Sequence, residues 1–200
     1  MRYLALGDSY TVGEGAGERA SFADQTEEGQ RSTVNGQRES VDRRPSTVDR
    51  IASTGWTTGE LLAAIRAAPP EGRYDLVTLC IGVNNQYRGL PIAEYQREFA
   101  ELLGLAIGYA DGNPQRVVVL SIPDWGVTPF AEGRDRAAIS EAIDAFNRAA
   151  EAETRRRGAT WVNVTDDSRR HPDDVVADGL HPSARAYGRW ARLVIDQLHL

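Results

Sequence analysis

Two hundred residues, 41% of them hydrophobic, suffice to bury the core of one domain and require no second. A net charge of −6 excludes a general nucleic-acid binder, which needs clustered Lys and Arg against phosphates. The lone cysteine, Cys80, excludes an intramolecular disulfide and reads as a small core residue within the apolar run 76–81.

The chain enters an apolar run, Tyr3-Leu4-Ala5-Leu6, within two residues, so no signal peptide is expected. With no stretch near the roughly 20 apolar residues of a membrane span, a soluble cytoplasmic protein without integral membrane association is expected. That first run ends abruptly at Gly7-Asp8-Ser9, the pattern of a buried parallel strand closed by a turn. Ser9 then falls just past the carboxyl end of a strand, the edge where open α/β sheets bind ligands. The following glycine-rich stretch, Val12 to Gly17, matches neither a P-loop nor a dinucleotide fingerprint. Residues 23–50 are polar and irregular, with Val34, Val41 and Val48 as the only large aliphatics. At best they supply a short helix over about 22–30 and a weak strand over about 48–53.

Past the loop Ser53–Gly59, Leu61, Leu62 and Ile65 mark one helical face, capped by Thr57 or Thr58 and ended by Pro69-Pro70. Residues 75–82 form the most apolar strand, followed by the polar loop Val83-Asn84-Asn85. An amphipathic helix over 91–110, a strand over 116–122, a helix over 135–157 and a short strand over 160–164 follow. A polar loop from Thr165 to Asp178 leads to His181 and a last helix over about 183–198. This alternation predicts one domain over 1–200, a three-layer α/β/α sandwich around a five-stranded parallel sheet. Right-handed returns gather the loops near residues 7, 53, 82, 122 and 164 at one sheet edge.

A serine nucleophile needs a base, and the base needs an orienting partner. Of the three histidines, His199 is next to last in the chain and His171 lies in a charged stretch that reads as surface. His181 follows Asp178 by three residues, so one tight turn can bring the carboxylate to the imidazole. Taken alone, Asp-x-x-His before a helix serves capping as readily as catalysis. An attacked carbonyl also requires donors for its developing charge. The Asn84 side chain, the Gly55 amide (open to close approach because glycine has no side chain) and the Ser9 amide are the candidates. Asn85 and Trp125, with the stretches 85–89 and 125–130, are expected to line the mouth of the site and contact substrate.

Taken jointly, Gly7-Asp8-Ser9-Tyr10, Gly55, Gly82-Val83-Asn84-Asn85 and Asp178-Gly179-Leu180-His181 resemble the ordered blocks of the SGNH hydrolases, the GDSL-type esterases and lipases. The resemblance spans nearly the whole chain. It implies a flavodoxin-like sheet in the order 2-1-3-4-5, Ser9 as nucleophile, His181 as base, Asp178 as its support, and Ser9, Gly55 and Asn84 as the oxyanion hole. It implies no metal and no organic cofactor. Two departures stand out: Asn85 replaces the usual aspartate, which bears on loop anchoring, and residues 23–50 lack the amphipathic helix usual after the first block. An α/β-hydrolase elbow, Gly-x-Ser-x-Gly, is excluded by Thr11 at its last position. The expected activity is hydrolysis of a small or medium acyl ester, a lysophospholipid-like ester or an acetylated sugar. An acyltransferase using the same residues and a binding protein that retains the pocket are the alternatives.

Overall fold

The computed structural model describes residues 1–34 and 47–198. In chain order the elements are β1 (Arg2–Gly7), α1 (Ser9–Val12), α2 (Phe22–Val34), β2 (Thr47–Ala52), α3 (Thr58–Ala67), β3 (Leu76–Cys80), α4 (Val83–Tyr87), α5 (Ile92–Tyr109), β4 (Val117–Leu120), α6 (Arg136–Arg156), β5 (Thr160–Val162), α7 (Thr165–Arg170) and α8 (Ala184–Ile195). The five strands form one parallel sheet in the order β2-β1-β3-β4-β5, as expected. None of the described helices is long and apolar enough to cross a membrane.

The apolar runs become the central strands because both of their faces are covered. Tyr3 to Leu6, Leu76 to Cys80 and Val117 to Leu120 are all buried. Tyr3 tolerates this position because its hydroxyl meets Thr78 Oγ1 at 2.9 Å. The chain reverses direction after β2, so right-handed crossovers place the helices in two groups on opposite faces. On one, α2 packs against α8; on the other, α5 packs against α3 and α6. Burial pushes the Cys80 thiol far above its ordinary value and keeps it an unreactive core group.

The short helix expected over about 22–30 and the weak strand over about 48–53 are both present, the helix extending to Val34 and the edge strand beginning at Thr47. Residues 35–46 lie outside the described residues, as does His199. The helix lacks a large apolar face because it meets α8 through small groups. A Cβ at Gly29 would collide with Ile195 Cδ1, and one at Gly188 with Gln25 Oε1. Close backbone approach replaces the leucines that a periodicity argument seeks, and only Phe22 and Ala23 enter the core from its first turn. Stretches read as loops at 83–87 and 165–170 are also helical.

Strand register positions the site. Gly7 pairs with Ala52 on one side and Cys80 on the other, so three chain segments leave the sheet side by side: 8–9, 53–56 and 81–84. Gly7 is required there, since a Cβ would strike the Cys80 carbonyl and Thr11 Oγ1. The fourth segment, 174–183, is closed at its base. Ser183 N donates to the Asp174 carbonyl (3.0 Å), Val176 N to that of His181 (2.8 Å), and Val175 bridges Pro182. The Asp174 carboxylate accepts from Ser183 Oγ (2.5 Å), Arg185 Nε (3.0 Å) and Arg189 Nη1 (2.6 Å). Arg189 in turn holds both oxygens of Asp167 on α7, which also accepts from Trp190 Nε1.

Burial by itself would raise the Asp174 carboxyl, but hydrogen bonds from Arg185, Ser183 and Arg189 outweigh it and hold the group far below the usual carboxylate range. A folded value below the unfolded one means that its stabilisation is complete above the unfolded value, about 4, and is lost as pH falls through the folded value. Asp174→Asn is therefore expected to lower the urea midpoint at pH 7 and to flatten its decline below about pH 4. Equal slopes in acid for variant and wild type would show that this carboxylate does not carry the effect.

Candidate active site

Ser9 is the first residue of α1, immediately after the Gly7 crossing, and is nearly buried. Asp8 caps this turn: its Oδ1 accepts from the Tyr10 amide at 3.0 Å. Its other oxygen has no hydrogen-bond partner among the described residues. Burial is the main cause that raises the Asp8 carboxyl to about 7, against partial compensation from the Tyr10 amide.

The structure brings Ser9, His181 and Asp178 together. His181 Nε2 lies 3.0 Å from Ser9 Oγ, and Nδ1 lies 2.6 Å from Asp178 Oδ2. The turn that permits this is made by Asp178 itself, whose Oδ1 accepts from the Leu180 (2.8 Å) and His181 (2.9 Å) amides. Burial would raise the Asp178 carboxyl, and the bonds from the His181 ring and these two amides more than offset it, so the group sits below its ordinary value. Behind the imidazole stands the Tyr10 ring, with centroids 5.7 Å apart. Tyr10 is the side chain that follows Ser9, so both hydrogen-bond partner and packing wall of His181 come from one turn.

Gly55 has φ 87°, a left-handed conformation that a side chain would strain. Its carbonyl is held by Arg88 Nη2 at 2.6 Å, and Arg88 Nη1 reaches Glu60 Oε1 at 3.4 Å. Glu60 belongs to a capping box with Thr57 that starts α3. Asn84, half-buried on α4, donates through Nδ2 to the Trp56 carbonyl at 3.0 Å. One N–H of its amide remains for another acceptor. No acceptor among the described residues takes the amides of Ser9 or Gly55.

Asn85 does not line the mouth as expected. It is fully buried, its Oδ1 accepts from Thr58 N (3.0 Å), and its Nδ2 donates to Thr58 Oγ1 (2.7 Å). Thr58 Oγ1 donates onward to Glu98. An amide suits this position because it supplies acceptor and donor together without burying a charge. Its task is to tie the turn carrying Asn84 to the start of α3. Trp125 is also nearly buried, with Nε1 donating to Gln86 Oε1 at 2.8 Å. Its ring meets Tyr87 and Phe130 edge-on, at 5.3 and 6.0 Å between centroids. His171, read as surface, has an exposed side chain whose Nδ1 lies near the Asp167 carbonyl.

Beside the imidazole loop, Tyr10, Trp125, Leu180, Pro182 and Trp190 line a cavity of about 20 Å³. That volume holds about one water and no acyl chain. Among the described residues no group of His, Cys, Asp and Glu is arranged to hold a metal ion. The supports Asp174, Arg88 and Tyr10 were not singled out from the sequence. Arg88 follows Asn84 by four residues, a spacing that has meaning only once residues 83–87 are known to be helical.

The whole chain superposes on solved structures of related architecture. A lipase, Lip_vut3, from a goat rumen metagenome matches with TM-score 0.76 and 19% identity, covering 98% of this chain and 97% of the other. A single-residue mutant of Axe2, an acetyl-xylooligosaccharide esterase from Geobacillus Stearmophilus, matches with TM-score 0.73 and 15% identity, covering 100% and 94%. Phospholipase A1 from Streptomyces albidoflavus NA297 gives 0.68 and 19%, covering 98% and 99%. At these identities the likeness concerns the fold. No curated protein matches the chain in sequence. The sequence itself matches the GDSL-like Lipase/Acylhydrolase family over residues 5–189. Carrying that match over nearly its full length, the chain belongs to the GDSL-like lipase/acylhydrolase family, whose members are hydrolases acting on ester bonds.

Proposed function

We propose that the chain is a serine ester hydrolase in which Ser9 is the nucleophile, His181 the general base and Asp178 its support. The observation that carries the reading is the unbroken hydrogen-bonded relay from Asp178 Oδ2 through the imidazole to Ser9 Oγ. Asp178 holds the proton on Nδ1, which leaves Nε2 free to take the hydroxyl proton as Ser9 attacks the acyl carbonyl. The tetrahedral oxyanion is met by the Ser9 and Gly55 amides and the uncommitted N–H of Asn84. The imidazolium returns its proton to the leaving alcohol, and water then repeats the sequence to release the acid.

The substrate is read as a small or medium acyl ester. The cavity beside the His181 loop is too small for an acyl chain, so the acyl and alcohol groups rest on the surface, beside the exposed Tyr87 ring and the Phe130 ring packed against it. Two structural neighbours bear names that fit such substrates, an acetyl-xylooligosaccharide esterase and a phospholipase A1. An acetylated sugar and a lysophospholipid-like ester are accordingly the two natural classes to test.

Asp8 bears on the same chemistry. Its carboxyl lies one residue from the Ser9 amide, and its ionised form would place a negative charge beside a developing oxyanion. Burial favours the neutral form, which suits the site.

Turnover of 4-nitrophenyl acetate through butyrate is expected to fall about 10⁴–10⁶-fold in Ser9→Ala and about 10²–10⁴-fold in Asp178→Asn. Covalent labelling by a fluorophosphonate should disappear with Ser9→Ala. Retention of wild-type activity by that variant would refute the mechanism. Asn84→Ala should lose about 10²–10³ in kcat with a smaller change in KM, because its donor acts on the transition state. A rise in KM alone would assign it to ground-state binding instead. Asp8 is raised in the folded chain, so its contribution to stability is complete below the unfolded value, about 4, and is lost as pH rises through about 7. Asp8→Asn keeps a capping side chain and should flatten the fall of the urea midpoint over that interval; an unchanged slope would place the titration elsewhere.

A further inference from the structure

Over three aromatic rings packed beside the His181 loop lies a cation with no ion-pair partner among the described residues. Tyr87 on α4, and Trp125 and Phe130 after β4, form a three-ring cluster with centroids 5.3 to 6.5 Å apart. Over it lies Arg134, whose guanidinium carbon is 5.0 Å from the Phe130 centroid, 5.5 Å from that of Trp125 and 5.7 Å from that of Tyr87. The cluster spans the gap between the two halves of the proposed machinery. Tyr87 is three residues beyond Asn84 and shares its helix face. Phe130 N donates at 3.0 Å to the carbonyl of Gly179, the neighbour of Asp178. The rings therefore run from the oxyanion side to the loop that bears the imidazole.

Arg134 is exposed, and among the described residues its guanidinium has neither an ion-pair partner nor a hydrogen-bond acceptor. Of the carboxylates next to it in sequence, Asp135 caps α6 through the Ala138 amide, and the exposed Glu132 forms no ion pair with it among the described residues. Arg136, two residues on, is spent on the Val127 and Thr128 carbonyls. A guanidinium over aromatic faces is partly desolvated and restrained, while its N–H donors radiate in its own plane and stay available for a planar, bidentate anion. With a net charge of −6, the chain as a whole repels anionic molecules, so such a local cation selects against the average field.

We propose that Arg134 on the Tyr87–Trp125–Phe130 platform is an anion subsite, and that the preferred substrates are esters carrying a carboxylate or phosphate near the scissile bond. The inference rests on the Ser9–His181–Asp178 reading and adds the chemical class of what that site receives. The shared chemistry is an oxyanion able to accept two parallel N–H bonds; it can reside on the acyl or on the alcohol side.

Two matched pairs distinguish these sources. Mono-4-nitrophenyl adipate against 4-nitrophenyl hexanoate places a carboxylate on the acyl side, and 1-butyrylglycerol 3-phosphate against 1-monobutyrin places a phosphate on the alcohol side. Wild-type kcat/KM is expected to favour the anionic member of at least one pair, and Arg134→Met should reduce that anionic-to-neutral ratio about tenfold, the effect of one charged hydrogen-bonded contact. Arg134→Lys should retain part of the ratio, and added KCl should erode it in wild type but not in Arg134→Met. Ser9-dependent hydrolysis with no anion preference in either pair, or a ratio unmoved by Arg134→Met, overturns the subsite while leaving the triad standing. Neutral esters turned over equally by wild type and Ser9→Ala would overturn the triad reading itself, and the subsite with it.

Discussion

The contact on which the rest of the structure depends joins Ser9 Oγ to His181 Nε2 at 3.0 Å across 172 residues of sequence. Such a bond is directional and short-ranged, so a displacement of about 1 Å at either end removes it. The sheet holds the Ser9 end. Gly7, Ala52 and Cys80 end in register, and the close approach at Gly7 leaves no slack where Ser9 departs.

The imidazole side has no strand to stand on, and the fold solves this differently. The segment from Asp174 to Ser183 is a closed loop whose base is drawn together by one carboxylate and whose tip is shaped by another. Asp174 gathers Ser183, Arg185 and Arg189, while Arg189 and Trp190 bind Asp167 on α7. Charge-assisted bonds at partly buried positions lose little to screening. They give a loop the rigidity that catalytic geometry otherwise draws from regular structure.

Electrostatically, the site separates its charges by burial. Asp178, partly exposed and fed by three donors, stays ionised; Asp8, buried with one oxygen unpartnered among the described residues, is driven toward the neutral form. Two carboxyls flanking the same serine and histidine thus take opposite states for reasons legible in their surroundings. Arg134 lies outside this pair, over the Tyr87, Trp125 and Phe130 rings.

The alternation of apolar runs with helical periods determined the layered α/β architecture, because strands buried on both faces must be apolar throughout. The short blocks around Ser9, Gly55, Asn84 and Asp178–His181 were equally legible, since each is a local backbone device at a strand end or before a helix. Tertiary structure alone decided that the short helix begun at residue 22 runs on to 34 as a covering layer, because it packs through Gly29 against Ile195 and through Gln25 against Gly188, contacts with no apolar period. It also decided that Asn85 turns inward to Thr58 and that Arg134 perches on three rings. Patterns of large side chains are written along the chain, whereas close approach of small residues and pairing of polar ones depend on partners brought near only by folding.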